Sequence, residues 1–185
     1  MSQDKTFQPA AEIVSRALVT DESYTAMYGE SLSDNDAFWA EHGKRIDWIK
    51  PYSEISDVSY DTKDLHIRWY ADGTLNAAAN CLDRHLATRG NQTAIIWEGD
   101  DPSVDAKLTY KELHEAVCRF SNVLKARGVT KGDRVSIYMP MIPEAVIAML
   151  ACGRIGAVHS VVFGGFAANE LASRIDDSKA KIILS

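Results

Sequence analysis

From Arg134 onward, short apolar runs and helical patterns alternate without interruption, and no other feature limits the possible folds of this chain so tightly. Arg134–Tyr138, Ala157–Phe163 and Lys181–Leu184 read as strands, and Pro143–Arg154 and Ala168–Asp176 between them read as helices. Pro143 suits the first turn of its helix, where a missing N–H is harmless, and Gly156 suits the helix exit. Units in this order predict parallel strands joined by right-handed crossovers, with the apolar run Val161–Phe163 covered on both faces. The expected fold class is α/β: a helical N-terminal segment followed by the start of a doubly wound parallel sheet (βαβαβ), truncated at Leu184-Ser185 as by a cut inside the sheet.

Before Arg134 the texture differs, and it changes near residue 90. From Ala10 to Arg45 short helices are expected, with Ser33 and Asp36 as a capping box, Tyr24, Met27 and Tyr28 on one face, and Phe38 and Trp39 as a buried face. Pro51 ends this helical stretch. Leu65, Ile67 and Trp69 alternate with His66, Arg68 and Tyr70, which predicts a strand whose apolar set points inward. Leu75, Ala78, Leu82 and Leu86 predict a helix of about four turns closed by Gly90. Thr93–Trp97 is a short strand and Glu98–Pro102 an acidic turn. Thr109 and Glu112 form a capping box for a helix carrying Leu113, Val117, Phe120 and Leu124 on one face and stopping at Gly128.

Charge and cysteine usage narrow the possible partners. Lys and Arg number 20 against 26 Asp and Glu, giving a net charge of −6 with the basic residues scattered, so nucleic acid is not an expected partner. Cys81, Cys118 and Cys152 form neither a C-x-x-C pair nor a disulfide framework and are expected as buried thiols in a reducing, cytoplasmic setting. No secretory signal opens the chain. The one stretch long enough for a membrane span, Ala145–Phe166, is broken by Arg154, His159 and four glycines, so no membrane association is expected.

Chemistry concentrates at Phe163-Gly164-Gly165-Phe166, at the carboxyl end of a strand expected to be central and directly before a helix. In open α/β sheets ligands bind at that edge, and a helix N-terminus offers N–H groups suited to phosphate. Two adjacent glycines serve either a tight turn that needs glycine dihedrals or the close approach of a ligand to the backbone, and the motif by itself does not choose. Neither a G-x-x-x-x-G-K-[ST] loop nor a G-x-G-x-x-G fingerprint is present. His66, His85 and His159 lack partners at metal or catalytic spacing, and the pairs Asp100-Asp101 and Asp176-Asp177 suit caps better than acid/base catalysis. No catalytic residue and no metal ligand is expected among them.

Five ordered blocks carry a resemblance. Trp69-Tyr70-Ala71-Asp72-Gly73-Thr74-Leu75-Asn76, Ala79 to Leu86, Ala94 to Asp100, Tyr138 to Ala145 and Arg154 to Phe166 together resemble the AMP-forming acetyl-coenzyme A synthetases, within the acyl- and aryl-adenylate-forming superfamily, from about Tyr24 to the last residue. The propionate enzymes share several blocks, and a free-standing nucleotide-binding or interaction module is the alternative of another class. The resemblance implies an acetate–CoA ligase that uses ATP, with Mg2+, to form acetyl-adenylate and then transfers the acetyl group to coenzyme A. It implies that residues 1–90 form the N-terminal helical and extended region, and that residues 91–185 form the first, incomplete part of the AMP-binding large domain. It further implies that Gly164 and Gly165 line the coenzyme A groove, and that the catalytic residues lie in the remainder of the parent chain. The 185 residues by themselves are expected to be inactive. Two departures from the family pattern stand out. Ala167-Ala168 replaces the usual Ser-Pro, leaving Asn169 as a substitute cap, and Gly153 stands where Ala is commoner, at about 1 kcal/mol of helix propensity.

Overall fold

The structure, a computed structural model, describes residues 7–185. It divides into two compact units. One comprises the described residues up to Ile46 with Tyr52–Asp72, and the other Asp47–Pro51 with Gly73–Ser185.

The first unit contains α1 (Ala11–Ser15), α2 (Asp21–Ser33), α3 (Asn35–His42), and the antiparallel pair β1 (Ser56–Ser59) and β2 (His66–Trp69). Thr20 and Ser23 form the capping box of α2. The box expected at Ser33 and Asp36 is absent. Ser33 is the last residue of α2, and Asp34, with non-helical φ −144° and ψ 80°, caps α3 by accepting from the Ala37 N–H at 3.0 Å. The aromatics of α3 pack edge to face, Phe38 against His42 at 4.1 Å and Trp39 against Trp69 at 5.9 Å. They form no buried face, since neither α2 nor α3 holds a buried residue, and Tyr24 and Tyr28 stack on each other while 60% and 56% exposed. The strand expected around Ile67 forms, but its apolar set does not point inward: Leu65 is 67% and Ile67 59% exposed. The opposite face of the hairpin is organised by Asp57, which accepts from Arg68 at 2.9 Å and pairs with His66 Nε2 at 2.8 Å, so the half-buried residue of β2 is a histidine.

The second unit starts with α4 (Ala77–Cys81) and α5 (Leu86–Arg89), separated by a 3₁₀ turn at Asp83–His85. The single four-turn helix expected here is broken at Leu82, whose backbone leaves helical space at φ −123°. The break buries the Leu82 side chain and aims Asp83 at Arg154, and Gly90 keeps a right-handed φ of −53° instead of a left-handed exit. A hairpin of β3 (Thr93–Glu98) and β4 (Asp105–Thr109) follows. The Thr109–Glu112 capping box then opens α6 (Tyr110–Ala126), whose last turn closes on Gly128 at φ 82° with Val129 N–H bonding back to the Leu124 carbonyl.

The βαβαβ units form as expected: β5 (Arg134–Met139), α7 (Pro143–Ile155), β6 (Val158–Phe163), α8 (Ala168–Ser178) and β7 (Ile182–Leu184), with all three strands parallel in the order β6-β5-β7. The chain goes from β5 to one neighbour and then crosses back to the other, so right-handed crossovers put α7 and α8 on opposite faces. Packing agrees. Val135 joins Leu113, Val117, Leu124, Ala151 and Cys152 in the core beneath α6 and α7, whereas Arg134, one residue away, donates from Nε to the Ser178 carbonyl of α8. Fully burying an aliphatic side chain of this kind contributes about 1.5–3 kcal/mol. Two expectations fail here. Among the described residues β6 pairs only with β5, so the central strand is β5, and Val161 and Phe163 are 53% and 65% exposed. Of the three cysteines only Cys152 is buried, which pushes its thiol up to about 11; Cys81 is exposed.

Candidate functional site

At the carboxyl ends of β5 and β6 a cleft of about 860 Å³ opens in the second unit. Its floor is Tyr138, Met139 and Pro140 from the end of β5, one wall is Phe163, Gly164 and Gly165, and the facing wall is the β3–β4 hairpin with Trp97, Gly99, Asp100, Asp101 and Val104. Carboxyl edges of parallel strands gather ligands because each crossover must leave the sheet there, exposing loop backbone and the N-terminus of the next helix. The lining is mainly aromatic and aliphatic. Acidic side chains lie along the hairpin, where the Asp101 carboxylate accepts from the Ser103 N–H at 2.9 Å and is held below the usual carboxylate range by that bond first and by the Ser103 hydroxyl second.

Residues 163–166 form a tight turn closed by the Phe166 N–H donating to the Phe163 carbonyl at 3.0 Å. Neither glycine lies in the left-handed region, where only Gly128, Gly132 and Gly156 appear among the described glycines. Dihedral demand therefore does not explain the pair. Space does at Gly164, where a Cβ would stand 3.2 Å from the Met139 carbonyl oxygen, a backbone atom of the central strand. A Cβ at Gly165 would come within 2.7 Å of Phe163 Cε1, the side chain of a ring that is largely exposed. Gly165 thus keeps one side of the cleft free of side chain without being compelled by the backbone.

Two struts tie the cleft together, and neither was read from the sequence. Trp97 Nε1–H donates to the Met141 carbonyl at 2.7 Å, joining the hairpin to the loop after β5. The Tyr138 hydroxyl donates to the Phe166 carbonyl at 2.9 Å, joining β5 to the glycine turn. The only local hint was their apolar-aromatic type beside Gly99 and Pro140. Helix α8 starts at Ala168 with Ala167 as an N-cap that supplies no side-chain hydrogen bond, so Asn169 does not replace the missing Ser.

Of the other polar residues considered in the sequence, His85, His159, Asp176 and Asp177 do not line the cleft. His85 packs its ring on Tyr110 at 5.3 Å, and Asp176 and Asp177 lie in α8. Arg154 makes a bidentate pair with Asp83 at 2.7 and 2.8 Å, with His114 Nε2 at 3.3 Å from the guanidinium, and Asn76 donates to the carbonyls of Gly153 and Arg154 at the end of α7. Among the described residues no group of three or more His, Cys, Asp or Glu side chains gathers as a metal site, and no helix is long and apolar enough to cross a membrane.

A parallel βαβαβ sheet with a glycine-lined cleft at its carboxyl edge is an α/β framework of the kind that binds ligands at that edge, and comparison with known proteins makes the class specific. Residues 82–185 match the AMP-binding enzyme family, and the chain belongs to it. Residues 24–81 match the acetyl-coenzyme A synthetase N-terminus. An acetyl-coenzyme A synthetase of Shewanella amazonensis is 57% identical over the whole chain, and one of Parvibaculum lavamentivorans is 60% identical over 98% of it. The chain spans 28% of the length of each of these relatives. Among solved structures, an acetoacetyl-CoA synthetase from Streptomyces lividans superposes with a TM-score of 0.81 at 26% identity, over 95% of this chain and 29% of that one.

Proposed function

We propose that this chain is the part of an AMP-forming acetate–CoA ligase that supplies one wall of its coenzyme A site, and that Gly164 and Gly165 are the residues of that wall. The supporting observation is the pairing of the two glycines with an apolar cleft at the carboxyl edge of the sheet, in a chain whose relatives are acetyl-coenzyme A synthetases. The parent enzyme would join acetate and ATP into acetyl-adenylate and pyrophosphate, then pass the acetyl group to coenzyme A, in the cytoplasm. Residues 1–90 would serve as the N-terminal region and 91–185 as the opening of the AMP-binding domain. Magnesium would enter with ATP as its complex.

The fit to coenzyme A rests on shape and charge. A neutral pantetheine or a base suits the Trp97, Met141 and Phe163 lining, while Glu98, Asp100 and Asp101 disfavour phosphate along the hairpin wall. The phosphates would therefore take their cationic partners from the rest of the parent chain.

Gly165→Leu in the full-length protein tests the reading, because its Cβ displaces only the exposed Phe163 ring and demands no forbidden dihedral. Coenzyme A-dependent AMP release is expected to fall by about tenfold or more while acetate-dependent pyrophosphate exchange stays within about twofold, at nearly unchanged melting temperature. Equal losses in both assays would make the glycine structural and the assignment wrong.

A further inference from the structure

We propose that Tyr138 is a positioning residue: through its bond to the Phe166 carbonyl, its hydroxyl holds the Gly164–Gly165 turn in the conformation that receives coenzyme A. The inference rests on the coenzyme A reading above.

Two successive glycines have more conformational freedom than any other dipeptide, and both are solvent-exposed here, so the turn must be ordered by what holds its ends. The near end is β6, locked to β5 through the parallel register that sets Tyr138 opposite Val162 and Met139 opposite Phe163. The far end is Phe166. Its ring is gripped from two sides, edge to face by Phe163 at 5.8 Å and by the Arg174 guanidinium at 4.6 Å. Its carbonyl is held by the Tyr138 hydroxyl at 2.9 Å. Of the contacts to Phe166 only the tyrosine belongs to the central strand, paired on both sides, and it reaches the turn from the floor of the same cleft. A fixed post of this kind spares the ligand the cost of ordering the two glycines on binding.

Tyr138→Phe in the full-length protein removes the hydroxyl and keeps the ring. The KM for coenzyme A is expected to rise about fivefold, the effect of one neutral hydrogen bond, with kcat and pyrophosphate exchange within about twofold of the parent. In the absence of coenzyme A, amide hydrogen exchange at residues 164–167 should speed up without a change elsewhere in the sheet. An unchanged KM, beside a Gly165→Leu variant that behaves as expected, overturns the role of Tyr138 and leaves the coenzyme A reading standing. A lowered melting temperature with equal losses in both half-reactions makes the hydroxyl merely structural and also overturns it. If Gly165→Leu instead weakens both half-reactions alike, the coenzyme A reading falls and this assignment falls with it.

Discussion

Single residues in this chain show how far a glycine can be understood from its neighbours. Gly153 interrupts α7, yet a Cβ there would meet nothing within 4 Å and its φ is not in the left-handed region. The residue therefore costs helix propensity without filling a tight place. Gly153→Ala is expected to stabilise the chain by about 0.5–1 kcal/mol, raising the melting temperature by a few degrees in calorimetry. No rise would mean that the backbone of α7 needs freedom here that its contacts do not reveal. Gly164 is the opposite case, since its missing side chain makes room for the Met139 carbonyl. Both are plain glycines in the sequence, and only the distance to a strand 25 positions earlier separates them.

Secondary-structure elements are tied by charge where hydrophobic contact is thin. At the entrance of β5, the Asp133 carboxylate accepts from the Thr130 N–H at 2.7 Å, the Thr130 hydroxyl at 2.9 Å and Lys181 Nζ at 2.9 Å; Lys181 also donates to the Gly128 carbonyl at 2.6 Å. The turn after α6 is thereby bound to the start of β7. The Lys181 bond first, and the two from Thr130 after it, hold the Asp133 carboxyl down at about 2, below its ordinary value of 3.8. A depressed folded-state value stabilises the fold above the unfolded value and loses that stabilisation as pH falls through the folded one. Between about pH 4 and pH 2 the parent should therefore lose stability faster than Asp133→Asn, as urea midpoints across that range would report. Parallel decline would show that the cluster is too well screened to matter.

At the scale of the whole molecule, the three-stranded sheet carries exposed apolar side chains on both outer strands, Val158, Val161 and Phe163 on β6 and Ile183 on β7. Open, apolar strand edges pair with other chains. The 185-residue chain purified by itself is expected to self-associate in light scattering at micromolar concentration, and Val161→Lys should reduce this by placing a charge on the open strand. A monodisperse monomer for both proteins would show that these side chains are not adhesive.

The sequence by itself determined the order and type of the elements from Tyr110 onward. The Thr109–Glu112 box, the Gly128 exit, Pro143 in the first turn of α7 and the strands of the βαβαβ units were all legible, because each depends on residues within about four positions of one another. The glycine pair was legible as a site candidate for the same reason. What only the tertiary structure decided were matters of long-range pairing: that β5 is central and β6 is not, that Leu65 and Ile67 stay exposed while Trp69, on the same side of the hairpin, meets Trp39 of α3, and that the helix after Leu75 breaks to send Asp83 to Arg154. The Tyr138 hydroxyl belongs to the same group, since its partner Phe166 lies 28 positions away. Local propensity carries no information about such distances, because they are set by strand register and crossover hand once the chain has packed.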